Sequence, residues 1–291
     1  MRIHFIAIGG SIMHNLAITL HLKGHKVSGS DDEIYDPAHT QLETHGLLPE
    51  KVGWNENRIT NEIDAIILGM HAKKDNPELI KAQSMGIPIY SFPEFIYKES
   101  LNKKRVVIAG SHGKTSITSI VMHVLSTYKI DFDYLVGARI KGFDQMTKIS
   151  DAPIIILDGD EYLSSPLDLK SKFLHYKADL AVISGIAWDH INVFKTFESY
   201  CLSFTDFINS MNMGGSLYYY KNDSVLHKLV QDDTNEIEKE SYGSFPHRID
   251  GGISYLQHND QEYPIHLFGE HNMENINAAY KICLNLGIKA T

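Results

Sequence analysis

The chain has 291 residues, 43% hydrophobic and 22% charged, which excludes disorder and collagen-like architecture and gives length for about two globular domains. A formal net charge of -9, from 36 acidic and 27 basic residues, offers no long-range attraction to nucleic acid or to an anionic membrane surface, so the expected partner is small. The two cysteines, Cys201 and Cys283, rule out a disulfide framework and no stretch has the length of a transmembrane helix, which together predict a cytoplasmic protein.

The apolar run Ile3 to Ile8 reads as a buried strand, too short for a signal peptide because Gly9-Gly10 interrupts it. Gly9-Gly10-Ser11 then turns into a helix with Ile12, Leu16 and Leu20 on one face, stopped by Gly24. Val27 to Asp31 is a second strand with its exit loop. Strands at Ala65 to Leu68 and Ile87 to Tyr90, with a helix from Pro77 to Met85 between them, complete the spacing of βαβ units. Polar residues from Glu99 to Arg105 mark a boundary, predicting domains of 1–101 and 102–291. A second α/β series follows, with strands at Val106 to Ala109, Ile154 to Leu157 and Leu180 to Ser184, and helices after Lys114 and Thr196. Short β-like runs between Gly214 and about Tyr263, including Leu217 to Tyr220 and Ile253 to Leu256, predict an antiparallel appendage. The fold class is therefore α/β: an N-terminal Rossmann-like parallel sheet domain, then a phosphate-loop α/β domain with a small antiparallel addition.

The sharpest local signal is Val106-Val107-Ile108-Ala109-Gly110-Ser111-His112-Gly113-Lys114-Thr115-Ser116, a strand, a glycine loop and Gly-Lys-Thr opening a helix. Loop N–H groups and the helix N-terminus suit polyphosphate, Lys114 reaches terminal phosphates, and the Thr115 hydroxyl suits Mg²⁺. Ile108 stands where a strict phosphate loop has another glycine, so the loop is a shortened variant; an ordinary glycine-turned junction is the competing explanation. Gly9, Gly10 and Ser11 allow a diphosphate to approach the first helix, with Ser30 and Asp31 placed for a ribose or base, although a dinucleotide fingerprint would also need glycine at Ala7 and Ile12. A tight turn alone explains these glycines equally well. Asp158-Gly159-Asp160-Glu161 follows a buried strand, where a carboxylate can manage Mg²⁺, and Asp189-His190 follows the next; an acidic surface turn and a structural Asp–His pair are the plainer accounts. Asn272 and Asn275 share a helix face on which two amides can read a purine edge, while capping and polar exposure also account for them. His21 and His25 have helical spacing but Gly24 lies between them, and no His-Glu-x-x-His occurs.

The order of Gly110-Ser111-His112-Gly113-Lys114-Thr115, Asp158-Gly159-Asp160-Glu161-Tyr162, Asp189-His190 and Gly269-Glu270-His271-Asn272-Met273-Glu274-Asn275 resembles the Mur ligase family, ATP-dependent enzymes that form amide bonds in peptidoglycan synthesis. The resemblance runs along the whole chain. Tyr35 to Thr40, Lys170 to Tyr176 and Ile12 are most similar to the recycling branch, which joins UDP-N-acetylmuramate to the peptide L-alanyl-γ-D-glutamyl-meso-diaminopimelate. The branch that uses L-alanine and a non-catalytic sugar-nucleotide binder of the same fold are the alternatives. A nicotinamide-dependent dehydrogenase is disfavoured by the incomplete glycine pattern and the Lys-Thr loop.

The resemblance implies ATP and Mg²⁺, an acyl phosphate on the lactyl carboxylate, and attack by the amine. It implies catalytic roles for Lys114, Asp158 and His190, with Thr115, Asp158 and His190 at metal. Gly110, Ser111, His112, Gly113, Lys114, Thr115, Ser116, His271, Asn272 and Asn275 would hold ATP. Gly9, Gly10, Ser11, Ser30 and Asp31 would take the sugar nucleotide. The family usually carries Glu at Asp158 and polar side chains at Gly185 and Ala187, and its members continue into a third domain, so the chain ending at Thr291 is expected to bind nucleotide weakly and not complete ligation.

Overall fold

In the computed structural model, which describes residues 1–290, the first strand β1 is Arg2–Ile6, followed by α1 (Ser11–Leu22), β2 (Lys26–Ser30), α2 (Ala38–Thr44), β3 (Ala65–Leu68), α3 (Pro77–Ser84), β4 (Ile89–Ser91) and α4 (Phe92–Glu99). The strands pair in parallel in the order β2-β1-β3-β4. All four residues of β3 and four of the five in β1 are buried, the near-continuous apolar pattern of parallel strands covered on both faces. Helix α3 starts where Asn76 accepts the N–H groups of Glu78 and Leu79, with Pro77 in the first turn. Helix α4, absent from the sequence reading, starts at once after β4 because Ser91 and Glu94 form a capping box. Ile6, Ile66 and Leu68 pack with Leu79 and Ala82 in the core.

One polar cluster is sealed inside this apolar layer. Glu78 is fully buried, and its Oε1 accepts the Asn55 N–H at 2.8 Å with Arg58 Nη1 at 3.4 Å. Its Oε2 takes the Ser30 hydroxyl and faces His4 Nε2 at 3.3 Å, while His4 Nδ1 lies 2.9 Å from Ser28 Oγ.

The second half opens with β5 (Lys104–Ala109) and α5 (Lys114–Thr127), then gives the antiparallel pair β6 (Asp133–Leu135) and β7 (Thr147–Lys148), and β8 (Ile154–Gly159). After them come β9 (Leu180–Ile183), α6 (Phe197–Ser210), β10 (Ser216–Tyr220), α7 (Ser224–Asp232), β11 (Glu238–Tyr242), β12 (His247–Asp250), β13 (Ile253–His258), β14 (Gln261–Ile265) and α8 (Glu270–Asn285). The chain forms two units that exchange segments: Met1–Lys103, Asp133–Pro153 and Glu161–Tyr176 in one, Lys104–Phe132, Ile154–Asp160 and the chain from Lys177 onward in the other. In the first unit the β6–β7 pair is tied to α1, where Thr19 Oγ1 donates to the Thr147 carbonyl at 2.9 Å.

In the second unit β11, β10, β9, β5 and β8 pair in parallel in that order. Arg105 joins β5 to the entry of β9 by donating its N–H to Asp179 at 2.8 Å. The appendage is the antiparallel sheet β12-β13-β14. It is smaller than the sequence predicts, because Leu217 to Tyr220 belongs to β10 in the parallel sheet. Leu217, Tyr218 and Tyr219 are all buried, which only a strand with neighbours on both sides and layers on both faces achieves. Among the described residues no helix is long and apolar enough to cross a membrane.

Candidate functional site

The loop from β5 to α5 is built by two glycines in the left-handed region, Gly110 at φ +114° and Gly113 at φ +81°. A Cβ on Gly110 would lie 2.4 Å from Ser184 Oγ, and one on Gly113 would lie 2.3 Å from Asn275 Oδ1. Lys114 folds back so that Nζ donates to the Gly110 carbonyl at 2.6 Å. Thr115 and Ser116 stand exposed in the first turn of α5. Among the described residues that turn holds no acidic side chain and no side-chain cap, so its leading N–H groups face outward for an anion.

The segment after β9 braces this loop. Ser111 N–H donates to the Gly185 carbonyl at 3.0 Å, Ser111 Oγ bonds both the carbonyl and the N–H of Ala187, and Tyr200 Oη lies 3.0 Å from the same hydroxyl. Asp223, the cap of α7, accepts the Ile186 N–H at 2.6 Å. Ala187 thus works through its backbone, and Gly185 sits at φ +134°, where a polar side chain would strain the chain. Ser184, Tyr200 and Asp223 escaped the sequence reading; only Asp223, one residue before a helical run, carried a local signal.

Strands β8 and β9 flank β5, so their exits arrive beside the loop. Asp158 pairs in register with Ile108 and is half-buried; Gly159 follows opposite Ala109, so close that a Cβ would lie 2.8 Å from the Ala109 Cβ. The structure brings Asp160 and His190 together, with ligand atoms within 4.8 Å of one another. His190 holds a left-handed backbone at φ +52°, and its N–H donates to Asp189 Oδ1 at 2.7 Å. The exposed Thr115 hydroxyl and the Asp160 carboxylate are oxygen donors of the kind Mg²⁺ takes, and the His190 nitrogen held near Asp160 is a softer donor.

At the start of α8 the two asparagines differ. Asn275 is buried with its amide against Gly113, whereas Asn272 is half-buried and donates to the Phe268 carbonyl at 2.8 Å. His271 is exposed and packs back over Gly269. Gly113→Ala is expected to distort the loop and lower the melting temperature, since it meets Asn275 and adds about 1–2 kcal/mol of left-handed strain. Gly24→Ala, at φ +95° with nothing within 4 Å, carries only the strain, so the difference between the two variants' melting temperatures measures the clash.

In the first unit, Gly9 and Gly10 lead into α1 with Ser11 exposed. Asp31 is buried; its Oδ2 accepts the Gly9 N–H at 2.7 Å and its Oδ1 the Asp32 N–H at 3.0 Å, so the carboxylate holds the turn closed. Ser30 is wholly buried with its hydroxyl on Glu78, and so presents no surface to a ligand. An open cavity of about 810 Å³ lies against the β2 exit, lined by Asp32, Tyr35, His39 and Lys51 among others. Burial pushes the Asp31 carboxyl up to about 6. A raised carboxyl pKa favours the folded state at low pH, so this group's contribution falls as pH rises from about 4 to 6, on the order of 3 kcal/mol. Asp31→Asn is expected to flatten melting temperature against pH across that window.

The parallel sheet, the glycine loop after β5 and the open N-terminus of α5 define an α/β protein of the phosphate-loop type. The chain matches the Mur ligase family catalytic domain over residues 2–104 and the Mur ligase middle domain over residues 161–283. It belongs to the Mur ligase family. It is 30% identical over 288 residues to the UDP-N-acetylmuramate--L-alanine ligase of Lactiplantibacillus plantarum, covering 96% of this chain and 62% of that protein. The fold is similar to UDP-N-acetylmuramate:L-alanyl-gamma-D-glutamyl-meso-diaminopimelate ligase of Neisseria meningitides, with TM-score 0.87, 24% identity, and coverage of 99% of this chain and 94% of that chain. For UDP-N-acetylmuramate-alanine ligase of Thermotoga maritima the TM-score is 0.72 at 20% identity, covering 99% of this chain and 66% of that chain. The chain spans about 62% of the length of the first curated relatives it matches.

Proposed function

We propose that this chain supplies the sugar-nucleotide and ATP sites of an ATP-dependent ligase that joins UDP-N-acetylmuramate to L-alanyl-γ-D-glutamyl-meso-diaminopimelate. The observation that carries the reading is the loop at Gly110 to Thr115, with its two left-handed glycines, uncapped helix start and Lys114. In this reading the loop N–H groups hold the phosphates, and Lys114 leaves the Gly110 carbonyl to pair with the transferred phosphoryl group. Thr115, Asp158, Asp160 and His190 would hold Mg²⁺, which when bound neutralises phosphate charge. Asn275 keeps the loop in register from α8, and His271 and Asn272 offer the edge for adenine. Gly9, Gly10 and Ser11 would receive the diphosphate of the sugar nucleotide at α1.

The peptide is taken over L-alanine as the amine because Tyr35 to Thr40 and Lys170 to Tyr176 resemble the branch that uses it and because the fold is similar to the Neisseria ligase. The L-alanine reading is favoured by the curated relatives, which carry that name at 27–30% identity. Calorimetry on this chain tests binding of ATP and UDP-N-acetylmuramate. Phosphate release by the protein at its relatives' full length, with the peptide or with L-alanine, tests the amine. Release with L-alanine alone would replace the peptide reading, and sugar-nucleotide binding with no release for either amine would favour a non-catalytic binder.

A further inference from the structure

A second cluster of potential ligands lies within the first unit, on elements that the proposed chemistry does not use. Glu94 in the first turn of α4, Asp168, and His175 at the end of the 3-10 turn Lys172–His175 each offer a ligand atom, and all three atoms lie within 4.8 Å of one another. His175 Nε2 is shut off from solvent and makes no hydrogen bond. It nevertheless lies 2.7 Å from Asp168 Oδ2, a hydrogen-bonding distance without hydrogen-bonding direction. An ion placed ahead of the ring nitrogen and shared with the carboxylate would draw the oxygen to the flank of the nitrogen in this way.

The two carboxylates are already oriented. Asp168 Oδ1 accepts the Lys170 N–H at 3.1 Å, which turns Oδ2 toward His175. Glu94 Oε2 accepts the Ser91 N–H and hydroxyl at 2.7 and 2.8 Å, and a carboxylate has lone pairs for a further partner. Such outer hydrogen bonds are what fix ligands around a metal. The geometry points to a divalent cation site of zinc type at Glu94, Asp168 and His175, with water completing the shell, that clips the 161–176 segment to the start of α4. One imidazole with two carboxylates suits a first-row ion of this class better than Ca²⁺, which takes oxygen donors. Lys172, whose ammonium lies 5.4 Å from the centre of the Phe92 ring, tethers the same segment to α4 without metal.

The test uses the chain stripped of metal by chelation and titrated with Zn²⁺. Saturable uptake of a single tightly held ion is expected, with a melting temperature raised by about 5 °C at about 100 times Kd. His175→Gln and Asp168→Asn should each lose that uptake and that shift. His190→Ala, which removes the pair with Asp160, should keep both. Co²⁺ in place of Zn²⁺ should give a visible absorption band that His175→Gln abolishes, a readout independent of how the variant melts. Equal zinc uptake by the wild type, His175→Gln and Asp168→Asn, or no uptake by the wild type, would overturn the site.

Discussion

In the ligase proposed above, Lys114→Ala is expected to lower ATP-dependent phosphate release by about 10³-fold while UDP-N-acetylmuramate affinity stays within about twofold. The size follows from where the ammonium acts. In the free structure Nζ closes the loop on the Gly110 carbonyl, one hydrogen bond that contributes about 1 kcal/mol to stability. Against a transferring phosphoryl group in a loop of aligned N–H donors, the same charge meets negative charge as it develops, and its loss falls on turnover. Phosphate-release kinetics and sugar-nucleotide calorimetry on one preparation check the split. Comparable losses in both would make Lys114 a residue that holds the loop together.

Glu78→Ala is the largest stability loss expected, about 3–5 kcal/mol, read as a lower melting temperature or denaturation midpoint. The carboxylate is fully buried, and Ser30, Asn55, Arg58 and His4 all turn toward it, so its removal leaves those groups facing a void in the apolar layer. Burial is the largest influence on Glu78 and raises its pKa, but the hydrogen bonds from His4, Ser30 and Asn55 together outweigh it and hold the carboxyl below its ordinary value. A depressed carboxyl stabilises the fold above its unfolded pKa, and that contribution is lost as pH falls through the folded value. Acid should therefore destabilise the wild type more steeply than Glu78→Ala below about pH 4. This runs opposite to Asp31, so the two variants are separable by pH alone.

The parts of the site that depend on neighbours in sequence were legible in it. Glycine ahead of Gly-Lys-Thr at a strand exit fixes a phosphate-type loop locally, and the structure places Gly110 and Gly113 at the left-handed angles such a loop needs. The nearness of Asp160 to His190 was not legible, since it arises only because β8 and β9 take opposite sides of β5. Helical spacing put Asn272 and Asn275 on one face, but what each meets depends on Gly113, distant in sequence. Ser30 reads as a strand-end hydroxyl free for a ligand until Glu78, 48 residues on, claims it. Helix α4 is only eight residues, about two turns, too short for a clear helical period, so its one local signal is the capping-box spacing of Ser91 and Glu94.

The exchange of segments between the two units sets an order for making the protein. A ribosome that has released residues 1–103 has delivered four strands and four helices of the first unit, but not the β6–β7 pair whose Thr147 carbonyl receives Thr19, nor the turn around Phe173. The first unit can finish only after residue 176 has emerged, when β5, α5 and β8 of the second are already outside. A gene cut at residue 103 therefore encodes an unfinished domain, with apolar surface on α1 left open to aggregation.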